Sequence, residues 1–429
     1  MRVMVVGSGG REHCIAWKIA QSPEVTEVFC VPGNGGMELV GTCVPLSSFT
    51  EMLDFVEEKN VDFVIVGPEA PLAAGIVDSF CARRRAIIGP DKRGALLESS
   101  KVFAKEFMRR YGIPTAPFSV FDNPREALEA LRRRRDFPVV VKADGLASGK
   151  GVYVAQDFEE ASFAVQELMV EKKFGSSGER IVVEDFLEGE EATVMVLFDG
   201  RSYLFLPSSQ DHKKVGEGDI GPNTGGMGAY SPAPIVDDMV LQRIEKEILV
   251  PFLEGVEREN LYYRGVLYLG LMIGKDKTPW VLEFNVRLGD PEAQVVLPRI
   301  ENDWLEVCFA LWEGRLHEVR LKVLEEPMLG VVLASQGYPG HFERGKRIEG
   351  LEHFTNTPGD KVLLFHAGTL RRDNEWYTNG GRVLNVCAFG KDFKEAYHYA
   401  YKAVSCIHFE GMYYRRDIGF RVLQKKGPS

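Results

Sequence analysis

Arg2-Val3-Met4-Val5-Val6-Gly7-Ser8-Gly9-Gly10-Arg11-Glu12-His13 is the stretch that decides how this chain is read. An apolar run stops at a glycine turn, and helical spacing follows, with Ile15 and Ile19 on one face until Ser22-Pro23 ends it. The unit then recurs. Residues 25–31 run into Pro32-Gly33-Asn34-Gly35-Gly36, residues 61–66 into Gly67-Pro68-Glu69, and residues 86–88 into Gly89-Pro90. Strand, glycine turn and helix in repetition predict a parallel α/β sheet whose loops gather at one edge. Ligands of such sheets bind at the carboxyl ends of the strands, where these turns lie.

The first turn is not a dinucleotide fingerprint. That pattern needs glycine where Glu12 stands, and no acidic residue closes the next strand at Val31. Two readings survive. Gly9 and Gly10 open a helix N-terminus that attracts an anion, with Arg11 as a fork suited to phosphate, or the turn is purely structural.

With 429 residues the chain is long enough for two to four domains. Its 45% hydrophobic and 27% charged residues are ordinary globular composition. A formal net charge of -10 argues against nucleic acid or an anionic membrane as partner. The basic clusters at residues 83–85 and 132–135 read as solvated faces. Seven cysteines without a C-x-x-C spacing fit neither a disulfide framework nor a zinc site. No apolar run reaches 18 residues, and no basic segment with an apolar stretch precedes the first strand, so a cytoplasmic protein is expected.

Beyond the first hundred residues the pattern changes. Ser99 and Ser100 are placed to cap a helix carrying Phe103, Phe107 and Tyr111 and ending at Gly112. A helix over 124–134, strands over 138–142, 152–155 and 180–184, and a helix over 159–169 follow. A β-rich region over 192–284 is interrupted by a long loop, 208–234. A third unit starts near Pro327, with strands over 329–334 and 361–365, a hairpin turn at Asn379-Gly380-Gly381, and a helix over 392–406.

Four segments carry candidate chemistry. Lys142-Ala143-Asp144-Gly145-Leu146-Ala147-Ser148-Gly149-Lys150-Gly151 is no Walker A loop: one residue too few separates its glycines, and Gly151 replaces the hydroxyl residue. It still suits a glycine-rich hairpin closing over phosphates, with Lys142 at the strand end. Residues 183–191 form a short acidic linker in which Glu184 and Glu191 offer polar contacts. Along 280–287, period-two alternation puts Glu283, Asn285 and Arg287 on one face and Leu282, Phe284 and Val286 on the other. Glu and Asn are oxygen donors of the kind magnesium takes beside phosphates, and Arg287 is a cation for charge developing on a transferred group. The glycine-dense 208–234 loop has the length of a functional lid. None of the eight histidines makes an H-E-x-x-H, and His13 and His212 are read as positioning residues.

Taken together, these pieces resemble the glycinamide ribonucleotide synthetase (phosphoribosylamine–glycine ligase) family of the ATP-grasp superfamily. The matching segments are VVGSGGREH (5–13), PGNGG (32–36), VGPEAPL (66–72), VVVKADGLASGKGV (139–152), VVEDFLEGEEA (182–192), QDHKKVGEGDIGPNTGGMGAYSPAP (210–234), LEFNVRLGDPE (282–292), FHAGT (365–369) and TNGGRVL (378–384). The resemblance implies an α/β multidomain fold. A Rossmann-like N-terminal domain would span 1–98, an ATP-grasp core 99–326 with a mobile lid at about 117–188, and a small α+β C-terminal domain 327–425. It also implies ATP as co-substrate and Mg2+ or Mn2+, and glycine and 5-phosphoribosylamine as small-molecule partners of a monomer or weak dimer.

Carried over by position, Lys101, Lys142, Gly145, Ser148, Gly149, Lys150 and Gly151 resemble phosphate contacts. Glu184, Asp185, Phe186 and Leu187 resemble the adenine hinge, Glu191 the ribose contact, and Glu283 with Asn285 the metal pair. Substrates would meet Gly9, Gly10, Arg11, Asn34, Glu69, Asp211, Asn223, Thr224, Gly225 and Gly226. Arg287, Asp211 and Asp290 are the catalytic candidates. One departure stands out. Many superfamily members carry a further acidic metal ligand on the preceding strand, and residues 266–270 have none.

A carboxylate does not react with an amine at neutral pH, because its leaving group would be oxide. Phosphorylating the carboxylate makes phosphate the leaving group, and the work becomes positioning and charge neutralisation. Glu283→Gln should therefore cut turnover strongly while leaving the fold intact. Normal turnover with an unchanged melting curve would remove Glu283 from the metal site.

Overall fold

The computed structural model describes residues 1–146 and 151–424. Its first five strands are β1 (Arg2–Gly7), β2 (Glu27–Pro32), β3 (Thr42–Cys43), β4 (Phe63–Val66) and β5 (Ile87–Pro90). They are parallel, in the order β3-β2-β1-β4-β5. Met4 and Val6 join one apolar cluster and Val3 and Val5 another, so β1 is covered on both faces and reads as a continuous apolar run.

Glu12 is buried beneath the turn it seemed to spoil. It accepts the Gly9 N–H at 2.6 Å and Arg11 Nε at 2.5 Å, a carboxylate folded back over the N-terminus of the helix Gly10–Ile19. A Cβ on Gly7 would lie 2.3 Å from Glu12 Cγ, and one on Gly67 2.0 Å from Glu12 Oε1. Those two glycines make room for this side chain.

The next strands, β6 (Phe118–Phe121), β7 (Val139–Ala143), β8 (Val152–Ala155) and β9 (Ile181–Asp185), form an antiparallel sheet in the order β6-β9-β7-β8. They have their own core, in which Val139, Val141, Ile181 and Val183 meet Leu131, Ala161 and Leu168. Asp144, just after β7, tethers this subdomain. Its Oδ1 accepts from Ser100 Oγ (2.7 Å) and the Val102 N–H (2.9 Å), and its Oδ2 pairs with Arg180 at 2.6 Å. Ser100 itself caps the helix Lys101–Tyr111, which Gly112 ends in a left-handed conformation (φ 68°).

The core continues with β10 (Glu190–Phe198) and β11 (Tyr203–Phe205). The segment expected to be one long loop instead carries β12 (Gln210–Asp211), β13 (Lys214–Gly216), β14 (Ile220–Asn223) and β15 (Gly228–Ser231). Two long strands follow, β16 (Tyr263–Ile273) and β17 (Pro279–Asn285). β16 lies between β10 and β17, and its first residues, Tyr263 and Arg264, pair with Pro90 and Gly89 of β5. The parallel and antiparallel parts thereby fuse into one nine-stranded sheet.

The remaining strands are β18 (Met328–Ser335), β19 (Arg347–Ile348), β20 (Val362–His366), β21 (Thr369–Arg372), β22 (Glu375–Thr378), β23 (Arg382–Phe389) and β24 (Met412–Tyr413). β12 and β15 complete the C-terminal sheet, ordered β12-β15-β18-β23-β20 with β24 against β18. The expected hairpin at Asn379-Gly380-Gly381 is not one. β22 pairs with β19 and β21 and β23 with β18 and β20, so this turn carries the chain from one sheet to another. Its glycines serve a close crossing: a Cβ on Gly368 would sit 2.5 Å from Gly380 Cα.

The β13–β14 hairpin is fastened by Arg415, which is fully buried. Its Nη1 donates to Asp219 Oδ1 (2.8 Å) and the Lys214 carbonyl (3.0 Å), while Nε and Nη2 reach Asp417 at 2.8 Å each. Burial pushes the Asp219 carboxyl up, but His212, Arg415 and Arg421 outweigh it and hold it low. This stabilisation is present above the ordinary carboxylate range and is lost as pH falls through the depressed value. Arg415→Met takes the cation from half-buried Asp417 and leaves half-buried Asp219 with Arg421 alone, and should cost about 1–3 kcal/mol. Amide exchange over residues 214–223 would then accelerate while the β1–β5 sheet stays protected, and unchanged exchange would exclude Arg415 as the fastener.

Candidate active site

β17 brings the metal candidates to the cleft between the core sheet and the β6–β9 sheet. Its register against β16 slips by one residue, with Gly270 opposite Glu283 and Leu271 opposite Val281. Leu282 is the bulged residue. Consequently Val281, Phe284 and Val286 face the core and Leu282 does not, which corrects the simple alternation expected for 280–287. Glu283 Oε1 and Asn285 Nδ2 end 3.5 Å apart, and Asn285 Oδ1 is held by Arg287 Nη2 at 3.1 Å. The three groups converge as the sequence predicts.

Arg287 is not a free cation, however. It pairs with Glu98 at 2.9 Å and Glu69 at 3.4 Å and donates to the Leu288 carbonyl at 3.2 Å. Glu98 also receives the Val286 N–H at 2.8 Å, fixing the end of β17. In this arrangement Arg287 orients Asn285. Glu69, at the start of the helix Glu69–Ala74, keeps a lowered carboxyl because Arg287 and Arg11 outweigh the upward push of burial.

Lysines surround Glu283. Burial raises its carboxyl, yet Lys213, Lys101 and Lys142 bring it below the ordinary value. Lys101, in a helix's first turn, donates to the Gly145 carbonyl at 3.3 Å. Lys142 reaches the carbonyl of the bulged Leu282 at 3.3 Å and Glu184 Oε2 at 2.9 Å. Lys105, which the sequence reading missed, contacts the same Glu184 oxygen at 3.0 Å. Its only signal was its position four residues after Lys101, on the same helix face. Burial lowers its ammonium to about 8 despite Glu184. Among the described residues, Glu184 Oε1 is buried with no hydrogen-bond partner, an acceptor left open near the end of β9. Asp185 pairs with Arg134, so one residue of the basic run is not merely solvated. Phe186 is exposed and Leu187 half-buried.

The glycine-rich hairpin is documented at its ends. Gly145 donates its N–H to Ser177 (3.3 Å), and the Gly151 carbonyl receives Ala143 N–H (2.8 Å). Asp144 serves as the tether rather than as a phosphate contact. Ser148, Gly149 and Lys150 lie outside the described residues.

Asp211 stands on the other side of Glu283, and its carboxyl is pushed up to about 7. Burial is the main cause, opposed by Lys213 and reinforced by Glu292, Glu191 and Glu283. Lys213 pairs with Glu191 at 3.3 Å, so the expected ribose contact already has a cation. Beside them a buried chain runs from Thr193 Oγ1 to Tyr268 Oη (2.9 Å) to Glu292 Oε1 (2.7 Å). Gly270, in the 266–270 stretch that lacks an acid, cannot take a side chain unmoved: a Cβ would lie 3.1 Å from Glu283 Cγ.

Several substrate candidates prove to be braces. Asn34 uses its whole amide, donating to the Ser8 (2.8 Å) and His366 (2.9 Å) carbonyls and accepting from Gly36 and Met37. Arg11 is buried, bound to Glu12 and to the Leu288 carbonyl at 2.9 Å. The N-terminus at Gly9 and Gly10 already faces the Glu12 carboxylate. Thr224, Gly225 and Gly226 direct their N–H groups to the Lys213 carbonyl, Tyr338 Oη and Thr224 Oγ1. Asn223 pairs with Lys214 in the β13–β14 hairpin. Asp290 accepts from Gln294 at 2.8 Å and lies 3.3 Å from Arg382; burial raises its carboxyl, but Arg382 and Arg11 bring it below normal. His13 and His212 are wholly buried, accepting from the His366 and Gly419 N–H groups, as positioning residues would. Among the described residues, no three His, Cys, Asp or Glu side chains form a metal cage, and no helix is long and apolar enough to cross a membrane.

A two-sheet cleft with a lysine-ringed carboxylate at the end of a core strand defines an ATP-grasp enzyme. Residues 1–98, 99–293 and 328–421 match the N domain, the ATP-grasp (A) domain and the C domain of phosphoribosylglycinamide synthetase, and the chain belongs to that family. It is 47% identical over 430 residues to phosphoribosylamine–glycine ligase of Allochromatium vinosum, covering 99% of this chain and 100% of that one. The Escherichia coli K12 protein of the same name is likewise 47% identical, at the same coverage. A solved phosphoribosylamine–glycine ligase from Thermotoga maritima superimposes with a TM-score of 0.84 at 37% identity, covering 98% of this chain and 100% of that one. A Campylobacter jejuni biotin carboxylase shares the fold alone (TM-score 0.73, 14% identity, 96% and 92% coverage).

Lys105→Met removes one of the two cations on Glu184 and should raise the KM for ATP tenfold or more. An unchanged ATP KM would reduce Lys105 to packing.

Proposed function

We propose that this protein joins glycine to 5-phosphoribosylamine at the expense of ATP, releasing glycinamide ribonucleotide, ADP and phosphate. The observation that carries this reading is Glu283 set beside Asn285, with Lys142 on the neighbouring Leu282 carbonyl and the charge of Lys213, Lys101 and Lys142 holding its carboxyl low. With Lys105 and Glu184, the nucleotide side of the cleft has more ammonium than carboxylate charge, a pattern that suits a triphosphate. Adenine would lie along Glu184–Leu187, where the open Glu184 oxygen awaits a donor, and ribose near Glu191.

A divalent cation, Mg2+ or Mn2+, would be held by the Glu283 carboxylate and by the Asn285 oxygen, once the amide, whose nitrogen faces Glu283 and whose oxygen is held by Arg287, turns over, leaving the other positions to phosphate and water. Bound there, the ion would neutralise charge on the phosphates. Without the ion, Arg287, clamped by Glu98, holds the Asn285 oxygen.

In the first step a glycine carboxylate oxygen attacks the γ-phosphorus, the bond to the β-bridging oxygen breaks, and ADP leaves. In the second, the ribosylamine nitrogen attacks the acyl carbon, phosphate departs, and the nitrogen loses a proton. Of the catalytic candidates, Asp211 and Asp290 are the two carboxyls that could take it. Asp290 is held ionised by two arginines and is a weak base, whereas Asp211, pushed up to about 7, is matched to the task.

A coupled ADP-release assay tests the reading. ADP should form only with both glycine and 5-phosphoribosylamine present, and release driven by bicarbonate would instead indicate a carboxylase. Above pH 7 Asp211 is ionised, so kcat/KM should climb through about pH 7. Asp211→Asn should flatten that limb and lower activity at least a hundredfold. A limb that survives the substitution assigns the proton to another group.

A further inference from the structure

Arg382 opens β23 directly after the Asn379-Gly380-Gly381 crossover, yet its side chain leaves the C-terminal sheet. Nη1 donates to the Gly225 carbonyl (2.6 Å) and the Asp290 carbonyl (2.8 Å), and touches the Gly226 carbonyl at 3.5 Å. Nη2 lies 3.3 Å from Asp290 Oδ2. One guanidinium thus joins the C-terminal sheet, the 224–226 turn and the loop after β17.

Both glycines of the turn are explained by this junction. A Cβ on Gly225 would stand 2.9 Å from Arg382 Cζ, and one on Gly226 2.4 Å from Pro291 Cδ. Tyr338 assists from the same sheet, since its hydroxyl accepts the Gly225 N–H at 2.9 Å. Asp290 in turn faces the first glycine turn, with Oδ2 3.2 Å from the point a Cβ on Gly9 would occupy. The chain of contacts runs from the C-terminal sheet through Arg382 and Asp290 to Gly9. On the nucleotide side, Lys101 contacts Gly145, Lys105 contacts Thr115 and Glu184, and Lys142 contacts Leu282 and Glu184 instead.

We propose that Arg382 is a positioning residue for the ribosylamine step, holding Asp290 and the 224–226 turn as one wall of the cleft opposite the Gly9–Gly10 turn. A lysine in its place could not span these acceptors, because one ammonium lacks the planar fork. The inference rests on the proposed ligase reading and on the ribosylamine occupying the Gly9 side of the cleft.

The test is steady-state kinetics on the full-length enzyme carrying Arg382→Met or Gly225→Ala, the latter displacing the guanidinium without removing its charge. Both should raise the KM for 5-phosphoribosylamine tenfold or more while leaving the KM for ATP within twofold. Arg382→Lys should stay near the Arg382→Met value. If Arg382→Met does not fold, Gly225→Ala carries the same measurement. Equal changes in both constants, an unaltered ribosylamine KM, or full rescue by lysine would overturn the role. Absence of glycine- and ribosylamine-dependent ADP in the unaltered enzyme would instead overturn the ligase reading.

Discussion

The half-buried carboxylate of Glu283, under the charge of lysines from three other segments, is the interaction on which the site depends. Lys101 comes from the helix after the parallel sheet, Lys142 from the lid-like sheet, and Lys213 from the connection between β12 and β13. Burial pushes this carboxyl up, and Lys213, Lys101 and Lys142, with the Asn285 amide, bring it below the ordinary value. Each part of the fold therefore delivers one cation to the same point, and the register slip at Leu282 aims the acid at them. That slip also turns the Leu282 carbonyl toward Lys142, so a backbone irregularity becomes part of the electrostatics.

Charge compensation sorts the remaining polar residues into two groups. Arg11, Arg287 and Asp290 already have partners of opposite charge and behave as struts. Asp211 and Glu184 are less fully satisfied: one carries a raised carboxyl and the other an open oxygen. Buried polar groups without full compensation are where chemistry is expected. The division explains why residues that look equally reactive as letters differ in the fold.

Three sheets meet around this cleft without clean separation. β16 joins the parallel strands to the antiparallel ones, while β12 and β15 leave the core to extend the C-terminal sheet. The segment 208–234 is thus ordered by neighbours distant in sequence, with Arg415, Tyr338 and Arg382 holding it. Gly225, Gly226 and Gly228, which read as looseness, instead make room for close approach of Arg382, Pro291 and Gly330 from other segments.

Sequence alone carried the strand–turn–helix repeats, the cap at Ser100, the lysine at the end of β7, and the Glu283-Asn285-Arg287 constellation. These depend on local periodicity, turn chemistry and side-chain type, all of which neighbouring residues determine. Tertiary structure decided the rest. Glu12 became a buried cap because Gly7 and Gly67 vacate space for it. Lys105 joined the cleft because Glu184, on β9, pairs with it. Asn379-Gly380-Gly381 became a crossover because its flanking strands found partners in different sheets. Burial, partner charge and strand pairing are set by residues far apart along the chain, and no local pattern encodes them.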